Sequence, residues 1–184
     1  MMLLDYIMLA VALAVPTLVI VRGCVLQNPI RLTRGLCVSF VVAAVHTAFL
    51  LSGMQLGNEV LRFGIADYDN LICLGLLVVV AGRMFFMAFS KKERPSYDIA
   101  RWSTVLLLGV ATGVNALFVG LGVGFVADLE GNVLKVGIPS IVVISFAVYL
   151  GIMLGRRKKS VRARRWLLLG MLFLLIIGAR VLFQ

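Results

Sequence analysis

A chain of 184 residues that is 62% hydrophobic and 14% charged has too much apolar surface for a water-soluble domain, where about 45–50% is usual. The formal charge of +10 does not point to nucleic acid, because the basic residues fall mostly in short connections between apolar runs. Composition therefore excludes a soluble enzyme or nucleic-acid binder and leaves an integral membrane protein.

In chain order the predicted spans are 3–22, 35–56, 70–90, 102–127, 134–155 and 166–183. Each is close to the ~20 apolar residues that carry a helix across a hydrocarbon core of about 30 Å. All are read as helices, since only helices and closed barrels satisfy every backbone polar group in lipid and these runs do not alternate as barrel strands do. The fold class is all-α integral membrane, one transmembrane domain over 1–184, with halves 1–90 and 101–184 joined by a cytoplasmic linker, 91–100.

The first span holds Asp5 in place of a basic leader region and lacks a small-residue cleavage site, so it is expected to be retained as a helix. Pro16 sits at its middle, followed by Thr17; proline removes a backbone donor and frees a carbonyl, which predicts a kink or local unwinding there. The second span carries His46 and Thr47 in Ala-Val-His-Thr, then Gly53 and Gly57. His46 has two readings: a metal ligand or proton relay, or a neutral imidazole bonded to a neighbouring carbonyl.

The third span contains Ala-Gly-Arg-Met, with Gly82 and Arg83, and the sixth carries Arg180 four residues before the end of the chain. Both arginines are read as structural anchors that snorkel, Arg83 toward the cytoplasmic surface and Arg180 toward the outer one. The fourth span contains Ala-Thr-Gly-Val-Asn-Ala, with Thr112, Gly113 and Asn115, and then Gly120; the fifth contains Gly151 and Gly155. Such small residues let helices approach closely, and the polar ones supply hydrogen bonds or oxygen ligands. Pro16, Thr17, His46, Thr47, Thr112 and Asn115 are the candidate pathway residues, with His46 and Asn115 the candidate metal ligands; Gly53, Gly57, Gly82, Gly113, Gly120, Gly151 and Gly155 are the candidate packing glycines.

Orientation follows from where basic residues collect. The odd connections carry Arg22, Arg31 and Arg34, then Lys91, Lys92, Arg94 and Arg101, then Arg156, Arg157, Lys158, Lys159, Arg162, Arg164 and Arg165. The even ones carry only Arg62 and Lys135, beside Glu59, Asp67, Asp69, Asp128 and Glu130. Lys and Arg stay on the cytoplasmic side, so the odd connections face inward and both termini face outward, with Arg31, Arg34, Lys91, Lys92, Arg156, Arg157, Lys158 and Lys159 as anchors. The fifth connection also suits anionic lipid headgroups.

Residues 7–89 lie over 106–183 at an offset that drifts only from 99 to 97: Ala10 falls on Gly109, Gly53 on Gly151, Gly57 on Gly155 and Arg83 on Arg180. A unit of three crossings repeated once must run the opposite way the second time. This is the inverted repeat of many secondary transporters, whose substrate site lies near the midplane. Pro16 falls on Asn115, which puts two irregular or polar midpoints at matching places.

The central third of every span is free of acidic residues, and Cys24, Cys37 and Cys73 lack metal or disulfide spacing, so packing roles are expected for them. No nucleophile elbow, phosphate-cradling glycine loop or H-E-x-x-H motif occurs, and no resident cofactor or enzymatic activity is expected.

Ile7 to Ile20, Ala-Val-His-Thr with Gly53, Ala81-Gly82-Arg83-Met84, Ala111 to Ala116 through Gly120, and Gly151 to Arg156 follow one another in an order that resembles the bacterial manganese efflux pumps, the MntP-like family. The resemblance spans nearly the whole chain and implies six helices in two inverted halves, export of Mn²⁺ or another small solute by alternating access, and a bacterial inner-membrane location. It also implies an aspartate in each of the first and fourth helices and a glutamate in the second. This chain has Pro16, Asn115 and His46 at those places. A Mn²⁺ ion there would lose its compensating negative charge. The alternative is a scaffold that keeps the frame without transport. Expected partners are the lipid bilayer and a small ion or solute, with a homodimer or another membrane partner left open and no nucleic acid.

Overall fold

The computed structural model describes residues 3–61, 69–90, 98–126, 133–157 and 163–182. Six helices and no strand occur among them: α1 (Leu3–Gln27), α2 (Leu32–Leu61), α3 (Asp69–Phe89), α4 (Trp102–Val126), α5 (Val133–Arg156) and α6 (Ala163–Leu182). Five of them, α1 to α5, have the length and apolar composition to cross a membrane; α6 is not among these five and contains Arg164, Arg165 and Arg180.

Two boundaries differ from expectation. α1 continues five residues past Arg22, and α2 begins at Leu32 and runs to Leu61. The first connection is therefore residues 28–31, and Arg22 and Arg34 belong to helices. A basic residue ends an apolar run without ending a helix, because arginine is itself a good helix former. Nor does Pro16 unwind α1, which runs unbroken from Leu3 to Gln27. The proline ring fixes φ near the helical value, so its cost is confined to the lost donor and the crowded preceding turn. The Ala12 carbonyl, four residues before Pro16, faces Gly170 of α6, where a Cβ would stand 3.2 Å from its oxygen.

Each helix has two principal neighbours, in the closed order α1, α5, α2, α4, α3, α6 and back to α1, with a slighter contact of α1 on α4 across the middle. Every one of those six seams joins a helix of the first three to a helix of the last three. Of the five, α1 is the most enclosed, with 72% of its most apolar stretch buried against 28% for α3. The glycine contacts give two registers. Along α2 and α4, Gly109 meets Val45, Gly113 meets Phe49, Gly120 meets Leu50 and Gly124 meets Met54; along α1 and α5, Gly151 meets Leu18 and Gly155 meets Val25. Numbers rise together in both, so each pair runs parallel.

Most of the buried apolar side chains fall into two clusters. One holds Tyr6, Leu9 and Leu13 of α1, Leu50 and Met54 of α2, Ala116, Val119 and Val123 of α4 and Val136 of α5, with most of the buried face of α3 and with Leu174 and Ile177 of α6. The other holds Leu18, Val21 and Val25 of α1, Val38, Val42 and Ala43 of α2, Val105 and Leu108 of α4 and Ile144, Val148 and Ile152 of α5.

Candidate functional site

Between these clusters lies a polar belt. On α2 the second cluster stops at Ala43 and the first resumes at Leu50, and His46 and Thr47 fall in the gap; on α4 the gap from Leu108 to Ala116 holds Thr112 and Asn115. On α5, Ser140 falls between Val136 and Ile144, and on α1 Thr17 follows the change of cluster at Leu13 and Ala14. All six side chains are buried. The sequence reading missed Ser140, a single hydroxyl in an apolar run. Its signal was the preceding Pro139, which makes Pro-Ser in α5 an echo of Pro16-Thr17 in α1.

The belt's polar atoms are unequally satisfied. Thr17 Oγ1 donates to the Leu13 carbonyl at 3.3 Å, and Thr112 Oγ1 to those of Leu108 at 2.9 Å and Gly109 at 3.1 Å, each closing back on its own helix. Neither ring nitrogen of His46 has a hydrogen-bond partner among the described residues, and neither has Thr47 Oγ1. The carbonyl-bonded imidazole considered for His46 is therefore not the arrangement found. Leaving such groups unpaired in an apolar surround costs about 1–3 kcal/mol each, a cost characteristic of a site kept for contact with something else.

Asn115 is bonded to Arg83, whose Nη1 donates to Asn115 Oδ1 at 2.7 Å. Arg83 thus reaches across the α3·α4 seam instead of only snorkelling along α3. Its counterpart Arg180 donates Nη1 to Asp5 Oδ1 at 2.5 Å, tying α6 to α1 with a carboxylate that is almost fully buried. The amide oxygen of this candidate ligand thus accepts from a guanidinium and keeps one of its two lone pairs. Among the described residues no three His, Cys, Asp or Glu side chains gather as a metal site would require.

The glycines separate into contacts and bystanders. A Cβ at Gly53 would stand 2.2 Å from the Leu117 carbonyl oxygen, at Gly57 2.3 Å from that of Leu121, and at Gly120 2.1 Å from that of Leu50. Gly113 packs on the Phe49 ring, and Gly151 and Gly155 on α1. Gly82 has nothing within 4 Å of a Cβ position among the described residues, so it is a correction to the expected packing set: the α3 surface is open there. Gly124, which the sequence reading left out, belongs with them: a Cβ built there would collide with the Met54 carbonyl oxygen.

Of the expected anchors, Lys91, Lys92, Lys158 and Lys159 lie outside the described residues. Arg34 donates Nη2 to the Ala100 carbonyl and lies over the Trp102 ring, 5.5 Å from its centre, fastening the start of α2 to the start of α4. Arg31 is exposed just before α2, and its carbonyl accepts from Gly35 N–H at 2.9 Å. Arg156 and Arg157 are exposed and line a shallow groove with Leu32 and Met153. Cys24 and Cys73 are buried, one in each apolar cluster, and Cys37 is exposed; all three are free thiols.

No solved structure matches the chain. Among sequences, a relative from Phocaeicola vulgatus is 30% identical over 65% of this chain and 64% of its own length. One from Proteus mirabilis is 24% identical over 97% of this chain and 92% of its own, and one from Nitratidesulfovibrio vulgaris is 31% identical over 73% and 67%. Each bears the name "Putative manganese efflux pump MntP". The family model described as "Putative manganese efflux pump" matches residues 29–182, which takes in α2 to α6 and all of the belt beyond Thr17. On that match this multi-pass membrane chain belongs to the MntP manganese efflux pump family, a transporter family and not an enzyme class.

Proposed function

We propose that the chain is an exporter of the bacterial cytoplasmic membrane that moves a small ion or solute by alternating access between two inverted three-helix halves. The observation that carries this reading is the polar belt held between two apolar clusters. A carrier needs a polar site closed by apolar packing toward either side, so that one cluster can open while the other stays shut.

The helix pairing supports the inverted repeat. Exchanging α1 with α4, α2 with α5 and α3 with α6 maps the set of seams onto itself: α1·α5 trades with α2·α4, α1·α6 trades with α3·α4, and α2·α5 and α3·α6 each return to themselves. The parallel runs of α2 with α4 and of α1 with α5 agree with six alternating crossings, α6 included, its stretch 166–179 being free of charge. Both termini then face outward, by the distribution of Lys and Arg. The relatives' name makes Mn²⁺ the first cargo to try, and Thr17, His46, Thr47, Thr112, Asn115 and Ser140 are the residues it would meet.

The test is uptake into vesicles reconstituted with the full chain, screened over divalent metals and small solutes, with and without a pH gradient. Flux of at least one solute is expected, with loss in His46→Ala and in Thr112→Val. Absence of any flux, together with a membrane partner that stays bound through purification, would replace the transporter by a scaffold.

A further inference from the structure

The α2·α5 seam carries different chemistry at its two ends. Its helices run antiparallel: a Cβ at Gly35, near the start of α2, would stand 3.3 Å from Ile152, near the end of α5, and one at Gly137 would stand 3.8 Å from Leu51. The exchange of halves returns this seam to itself, so each of its ends is the counterpart of the other. At one end Arg156 and Arg157 line the groove with Leu32 and Met153. At the offset of 98 that sets Gly57 on Gly155, the other end has Gln55 for Met153, Asn58 for Arg156 and Glu59 for Arg157. Two basic heads over an apolar floor thus occur at a single end, the cytoplasmic one in the orientation proposed above.

Neither Arg156 nor Arg157 is in an ion pair among the described residues, whereas Arg101 and Arg180 are paired with Asp98 and Asp5. Both are exposed, and a guanidinium grips a phosphate through parallel hydrogen bonds. The apolar floor continues beneath them. Leu36 and Phe40 follow Leu32 at four-residue steps on α2, and Tyr149 and Phe146 precede Met153 by four and seven residues on α5, so each set keeps to one helix face. Leu36, Phe40 and Phe146 are exposed on the outside of the bundle. Because the helices are antiparallel, both strips leave the groove toward the membrane centre. A soluble phosphate would use the arginines alone, whereas a phospholipid uses the charge and the strips together, and the cytoplasmic leaflet is the one that carries negative surface potential.

We propose that this end of the α2·α5 seam docks one anionic phospholipid of the inner leaflet, with its headgroup phosphate on Arg156 and Arg157 and its acyl chains along Leu36, Phe40 and Phe146. The choice of leaflet rests on the orientation in the transport reading; the site itself does not.

The full chain, purified and delipidated in neutral detergent, is offered phosphatidylglycerol and phosphatidylcholine of identical chains, and retention is read by native mass spectrometry. Phosphatidylglycerol should be preferred, and the preference should fall about tenfold or more when Arg156→Gln and Arg157→Gln are combined, in line with two basic charges at a membrane surface. Met153→Gln, which keeps both charges but makes the floor polar, should also weaken retention. Arg164→Gln with Arg165→Gln removes the same charge from the start of α6 and should leave the preference intact. Equal losses from the two arginine pairs would mean diffuse attraction and overturn the site. Displacement of the lipid by an equal concentration of glycerophosphoglycerol would make the occupant a soluble phosphate ester, and a lipid-free dimer that the groove variant dissolves would make it a second copy; either overturns the proposal. Labelling of Arg157→Cys, in a Cys37→Ser background, only from the outside of whole cells would put the groove in the other leaflet and overturn the inner-leaflet assignment. Solute flux without any preference for phosphatidylglycerol sinks the lipid site and leaves the exporter standing; the preference without flux does the reverse.

Discussion

The α2·α4 and α1·α5 seams use the same residue type to different effect. In α2·α4 the glycines come from both sides, Gly53 and Gly57 facing α4 and Gly120 and Gly124 facing α2, and each brings backbone against backbone. In α1·α5 they come from α5 alone: Gly151 would place a Cβ 2.8 Å from the Leu18 carbonyl oxygen, and Gly155 would place one 2.7 Å from the Val25 Cβ. At an offset of 99, Gly120 and Gly124 fall on Val21 and Val25 of α1, so the second seam keeps side chains where the first has none. Small residues on one helix admit a neighbour; only small residues on both lock the two backbones, where neither has a side chain to shift.

Substitution should grade the two seams. Gly120→Ala, whose Cβ has a carbonyl in its way, is expected to cost about 3 kcal/mol in reversible unfolding from mixed micelles, because a backbone cannot rotate aside. Gly151→Ala should cost about 1 kcal/mol in the same assay; equal losses would mean that the two-sided seam is no tighter than the other. His46→Leu, beside the tighter seam, should stabilise by about 1 kcal/mol through removal of two unpaired buried nitrogens while abolishing vesicle flux, a trade of function for stability. Gly82→Ala, on the open face of α3, should stay within about 0.5 kcal/mol, and a larger loss would mean that something covers that face.

The helices were legible because a hydrocarbon crossing demands a long apolar run, and the overlay of the two halves located Gly53, Gly57, Gly151 and Gly155. His46, Thr47, Thr112 and Asn115 stood out as polar residues in apolar company, which is the property that places them in the belt. Ser140 escaped because one serine in a long apolar run is common. The bond from Arg83 to Asn115 escaped for another reason: 32 residues separate them, and only the knowledge that α3 borders α4 brings them together. The extra length of α1 and α2 was hidden by Arg22 and Arg34, which mark where the oil ends and not where the coil ends.

Since all six principal seams cross between the first three helices and the last three, a nascent chain that has released only α1 to α3 owns almost none of its final packing. Those helices must wait in the lipid, with Gly53, Gly57 and His46 uncovered, until the ribosome delivers α4 and α5. Assembly is then a late, concerted closure, and a message truncated after residue 90 would yield a short-lived product that membrane quality control clears before it can gather a surrogate partner.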